Sequence, residues 1–200
     1  AFLESKVSNV KRAVDYLEAL RNQRTTDHYK HGEGVTRACY GLVPESISHE
    51  GYSAKPMHSY WDNFFVVKGF KDAASIANEL QDSEFAKRCT KLHDAHRDAL
   101  YDSLDLSMKL HDIKYLPGCA ELGDFDATST AIAVFPCEQL QHLPSEALTF
   151  TFDRYFDFFQ KRASGEVEWN DYTPYEIRIV DAYVRMGQPK RARALLDFFL

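Results

Sequence analysis

From Tyr60 to Leu80 the chain carries Phe64, Phe65, Val66, Val67, Phe70, Ala73, Ala74, Ile76 and Ala77, with no clean polar face. A helix that is apolar nearly all round is stable in water only when other elements surround it. That segment therefore calls for a layered helical protein with this helix inside. The next segment, opened by the cap-type side chains Asp82 and Ser83 and running to about Leu110, has a single apolar stripe: Phe85, Cys89, Leu92, His96 and Ala99. A stripe of that width suits an outer helix with one face on the core. The two segments together predict an inner–outer helical hairpin.

The same period recurs elsewhere. Val7, Val10, Val14 and Leu17 predict an amphipathic helix over Glu4–Arg21. Residues Thr25–Pro56 lack periodicity, contain Gly32, Gly34, Gly41, Pro44, Gly51 and Pro56, and are expected to form a long ordered loop. Lys114–Asp126 is a second loop, followed by a short apolar helix over Thr128–Val134. Ser145 is placed as the cap of a helix to Arg162 with the stripe Leu148, Phe152, Tyr155 and Phe159. Pro174 suits a first helical turn, Tyr175–Met186 follows, and Gly187-Gln188-Pro189 precedes a last helix from Lys190. No alternating strand pattern is present, so the expected class is all-α. Tyr60–Ala77 and Tyr175–Leu195 also match loosely, with Gly69 paired to Gly187, as a toroid or an open solenoid of helix pairs would give.

Composition narrows the function. The formal net charge is −6 and no segment carries a basic stripe, which speaks against nucleic acid. No apolar run reaches the roughly 20 residues of a membrane span. Nothing at the start resembles a signal peptide, and the localisation is left open. Cys39, Cys89, Cys119 and Cys137 have no zinc-type spacing, and a Cys119–Cys137 bridge is left open. His93 and His96 are better explained by packing and solvent exposure than by metal binding, and no cofactor motif is found. Residues 192–200 still read as helix at the last residue, so the expectation is one domain over 1–200, the remainder belonging to a larger polypeptide.

The chemistry-bearing residues gather in loops that open expected inner helices. Glu45, His49, Glu50 and Tyr52 lead into Tyr60, Trp61 and Asp62. Trp169, Asp171, Tyr175 and Glu176 form a second cluster, and Asp124 and Asp126 a third. A carboxylate in a first helical turn is favoured by the helix dipole and by free N–H groups, so each of these acids also has a plain capping explanation. In a ring of hairpins, however, such loops fall on one rim and would line one acidic, aromatic cleft. Paired carboxyl groups beside flat aromatic rings suit cleavage of a glycosidic bond. A carbohydrate is the expected partner.

The run GLVPESISHEGYSAKPMHSYWDNFFVVKGFKDAASIANEL, with GDFDATSTAIAVFP and WNDYTPYEIRIVDAYVRMG, resembles the catalytic domain of six-hairpin glycosidases, the trehalase, glucosidase and glucoamylase-like enzymes. The resemblance covers most of the chain from Tyr40 onward, with Ser59-Tyr60-Trp61-Asp62 as its most specific motif. It implies helical hairpins forming part of an (α/α)6 toroid and a glycoside hydrolase, inverting by preference. It maps a general acid to Asp62. The partner base in those families comes from a later hairpin, and Glu176 and Asp171 are the candidates within this chain. About seven helices are legible, too few for a whole six-hairpin ring, and the resemblance leaves open a partner acid outside this chain.

Two rival readings accompany this one. A sugar epimerase or polysaccharide lyase on a similar toroid would rely on His49, Tyr52 and His58. A helical-repeat scaffold would bind peptide on its concave face, but would not need acidic, aromatic loops on one rim. Ser46 and Ser48 lie near His49 without a nucleophile elbow, which excludes a serine hydrolase.

Overall fold

The computed structural model describes residues 2–47, 54–168 and 174–200. Among them the chain is all-α. The long helices are α1 (Phe2–Asn22), α4 (Tyr60–Glu79), α5 (Ser83–Leu110) and α7 (Ser145–Ala163). Shorter ones are α2 (Asp27–Lys30), α3 (Gly34–Ala38), α6 (Ala127–Val134), α8 (Arg178–Arg185) and α9 (Pro189–Phe199), with a 3-10 turn over Pro174–Ile177. The only β-type pairings among the described residues are isolated bridges between loops.

Packing follows the hydrophobic pattern. Helix α6 touches both α4 and α8, so these three form a row. Helix α5 lies along α4, α7 against α6, and α9 against α8, giving three consecutive hairpins. Helix α1 covers α4 and the edge of α5.

The apolar circumference of α4 now has its reason. Tyr60, Phe64 and Val67 face the main core shared with α6, α7 and α8. Val66, Phe70, Ala73 and Ala77 face a second core shared with Val14 of α1 and with Phe85, Cys89 and Leu92 of α5. Full burial of a ring such as Phe70 is worth about 2–3 kcal/mol, so the helix is fastened from two sides. It is not enclosed on all sides: Phe65 is 40% exposed, and it faces the cleft described below.

Several expectations are corrected. The long loop after α1 contains α2 and α3, each too short to show a helical period in sequence. Pro144, not Ser145, takes the cap position of α7, and no side chain caps that helix. Cys137 is a free buried thiol, so the pairing with Cys119 that the sequence left open is not made. Gly69 lies inside α4, whereas Gly187 turns the chain between α8 and α9 with φ +71, so the two glycines are not equivalent positions of a repeat.

Candidate functional site

The loops that precede the inner helices are stitched together at one end of the row. Ser46 bridges Met57, Ser59 bridges Cys119, and Pro117 bridges Phe125. Tyr60 N–H donates to Gly118 O at 2.9 Å, which ties the start of α4 to the loop before α6. Buried Asn63 accepts from Val43 N–H at 3.0 Å and donates to Ser59 O at 2.7 Å, fixing the approach of the first loop. Gly41, with φ +76, lets that loop close on α5, since a Cβ there would lie 2.7 Å from the Ala99 side chain.

This stitching shapes a cleft of about 530 Å³ between α1, the Val43–Ile47 segment and the first turns of α4. Glu45, Ser46, Trp61, Asp62 and Phe65 line it. Asp62 stands in the first turn of α4, and its Oδ2 accepts from Ser46 Oγ at 2.5 Å. Burial raises its pKa above the usual carboxylate range, against the opposing pull of the Ser46 hydrogen bond. Glu45 goes the other way. Its ion pair with Arg24 holds its carboxyl below the usual range, with burial opposing and the nearby His58 adding a smaller effect. One cleft thus lines up two carboxyl groups whose pKa values are displaced in opposite directions, Asp62 upward and Glu45 downward.

Behind Glu45 lies a buried polar cluster. His58 Nδ1 is 2.5 Å from Glu121 Oε1, and the His58 backbone N–H donates to the same carboxylate at 3.0–3.1 Å. Burial alone would raise Glu121, but these bonds outweigh it and leave its pKa lowered. Arg24 Nε–H donates to His58 Nε2 at 3.0 Å, which makes that nitrogen the acceptor and Nδ1 the protonated one. Glu45 Oε2 lies 3.4 Å from the same Nε2. Cys39 adjoins the cluster, its thiol pushed up to about 12 by burial first and by Glu121 next.

The remaining candidates separate into several groups. Trp61 and Tyr175 come together on the rim, because the Arg178 guanidinium stacks over both rings at 4.7 and 4.4 Å. Tyr60 is 1% exposed with its hydroxyl on Ser103, so its ring belongs to the core and not to a cleft wall. Asp126 caps α6, accepting from Ser129 N–H at 2.9 Å and from its hydroxyl, and burial raises its pKa. Asp124 accepts from Cys119 N–H at 3.1 Å and so shapes the loop. Glu176 is clamped by the Arg162 guanidinium at 2.5–2.9 Å and by the Tyr155 hydroxyl at 2.5 Å. It lines a separate cavity of about 310 Å³ with Asp126, so Asp62 and Glu176 do not share a cleft. His49, Glu50, Tyr52, Trp169 and Asp171 lie outside the described residues.

Sequence reasoning passed over Arg24, Asn63 and Glu121. Arg24 follows the end of α1 and Glu121 sits in a loop of mixed composition, so nothing in their local pattern marks them. Arg24 and Glu121 both meet His58, which is 34 and 63 residues away from them in sequence.

No protein-family model matches the chain, and no curated protein or solved structure is significantly similar to it.

Proposed function

We propose that this chain carries the acid and charge-stabilising groups of a glycoside hydrolase, with Asp62 as general acid and Glu45 as its ionised partner. The observation that carries the reading is the opposed pKa displacement of two carboxyl groups lining one aromatic-walled cleft. Environments that drive two titratable groups apart are how one site keeps an acid and a base at the same pH. In the proposed step, Asp62 gives its proton to the glycosidic oxygen as the bond from that oxygen to the anomeric carbon breaks. Glu45 supplies negative charge beside the developing oxocarbenium ion. As water adds to that carbon, its proton passes to Glu45. The lowered pKa of Glu45 makes it a weak base, so electrostatic stabilisation is its larger contribution. Trp61 offers a ring face for a sugar.

This assignment replaces Glu176 and keeps Asp62. A histidine-based epimerase or lyase acting through His58 has less support, because its Nε2 lone pair is already taken by Arg24, while His49 and Tyr52 lie outside the described residues.

The test is hydrolysis by the full chain of aryl glycosides and of unactivated disaccharides over a panel of sugars. Asp62→Asn should lose turnover on disaccharides by about 10²–10⁴-fold and much less on aryl glycosides, whose leaving groups need little protonation. Glu45→Gln should lose both. If the native chain hydrolyses no member of either series, the reading fails.

A further inference from the structure

Cys39, His58 and Glu121 come from three separate stretches: the end of α3, the residue pair before α4, and the loop between α5 and α6. One ligand-type atom from each lies within 4.8 Å of the other two, in a setting where Cys39 and His58 are buried. From this geometry we propose that these three side chains form a binding site for a zinc-class divalent metal, distinct from the Asp62 cleft and joined to it through Glu45. The site does not depend on the glycosidase assignment.

Ligand chemistry selects the metal. A thiolate, an imidazole and a carboxylate are the donors zinc accepts, at about 2.0–2.3 Å, with water able to complete a tetrahedron. Atoms sharing such an ion stand about 3.3–3.8 Å apart, so His58 Nδ1 and Glu121 must open from 2.5 Å, with the Cys39 sulfur within 4.8 Å of both. A hard cation such as magnesium would not use the sulfur.

The surroundings provide for the loaded state. A metal-bound histidine ordinarily donates its other ring N–H to a carboxylate. Glu45 Oε2 is already 3.4 Å from Nε2. On binding, the metal takes Nδ1, the ring proton moves to Nε2 and points to Glu45, and Arg24 turns from the ring while keeping its ion pair with Glu45. The Cys39 thiol gives its proton to solvent as the S–metal bond forms, one proton for each ion. The Cys39 thiolate with Glu121 and Glu45 then balances the divalent cation and the Arg24 guanidinium.

The role that follows is a clamp. Bound metal would hold the three stretches in register and thereby set the position of Glu45. Chelator-treated chain should be titrated calorimetrically with Zn²⁺ in buffers of different ionisation enthalpy. The expected result is one ion and one released proton per chain, with a higher thermal midpoint in zinc. Co²⁺ should give a thiolate-to-metal charge-transfer band. Cys39→Ser, His58→Gln and Glu121→Gln should each weaken Zn²⁺ by at least about tenfold, while Cys137→Ser and Asp62→Asn leave it unchanged. Should Cys39→Ser fail to fold, Glu121→Gln, altered at a side chain 22% exposed, still decides the matter. Undiminished Zn²⁺ affinity in a folded ligand variant, a Co²⁺ spectrum lacking the thiolate band, or no binding to the native chain overturns the proposal. Loss of hydrolysis in Asp62→Asn with zinc affinity kept would separate this site from the cleft.

Discussion

Ser46 Oγ donates to Asp62 Oδ2 at 2.5 Å, joining the loop before the inner helix to that helix's first turn. The bond favours the carboxylate, while burial favours the protonated acid and is the stronger of the two. Removing it in Ser46→Ala should raise the pKa of Asp62 further. If Asp62 is the general acid, the alkaline limb of the pH–rate profile then moves to higher pH. A limb that stays in place, or moves down, rules out Asp62 as the group it reports.

Asp62 also affects stability. Its folded-state pKa lies above the unfolded value, so the native state holds its proton more tightly. That contribution is fully present below the unfolded pKa and is lost as pH rises through the folded one. Asp62→Asn, which never ionises, should therefore raise the thermal midpoint at neutral pH and change it little in acid. Thermal unfolding of both proteins across pH measures this. A destabilised variant at pH 7 would contradict the raised pKa.

Glu176 should prove structural. Its ion pair with Arg162 leaves the two side chains 8% and 3% exposed, and removing one member strands a buried charge. Glu176→Gln is expected to cost about 3 kcal/mol and lower the thermal midpoint by about 6–12 °C. Turnover by the folded fraction should persist. A loss of turnover without loss of stability would return Glu176 to the catalytic candidates.

His96 is wholly buried, packed edge-on against Phe70 and close to the Gly41 and Asn63 backbone. Burial, helped by nearby Arg21, lowers its pKa to about 3. As pH falls below about 6.5, the unfolded chain takes up a proton that the native state refuses, so stability drops progressively until pH reaches the folded value. His96→Phe should flatten that acid slope, read as thermal midpoint against pH between about 6.5 and 3. An unchanged slope would mean that His96 is protonated in the native state.

Gly41→Ala tests the closure of the loop. The residue would be strained at φ +76 and its Cβ would press on Ala99. A destabilisation of about 1–3 kcal/mol is expected, seen as a lower denaturation midpoint. Wild-type stability in this variant would show that the loop does not rest on α5 as described.

Much of the scaffold was legible because helices announce themselves locally. The stripe Phe85, Cys89, Leu92, His96 and Ala99 is a property of consecutive turns, and the structure buries every member of it. Helices α2 and α3 escaped because four or five residues hold little more than one turn. The site was legible only in part. Trp61 and Asp62 drew attention by their place at the mouth of an inner helix, and both line the cleft.

By itself the sequence determined that this protein is all-α, that α4 must be an inner helix, and that acids and aromatics collect where such helices begin. Those are consequences of spacing along the chain, where near neighbours fix which face is apolar. Only the tertiary structure decided which acid meets which partner. It set Glu45 against Arg24, gave Glu176 to Arg162, and brought Glu121 to His58 across 63 residues. The charge state of a carboxyl group depends on burial and on neighbours within a few ångströms, and long-range folding alone supplies both.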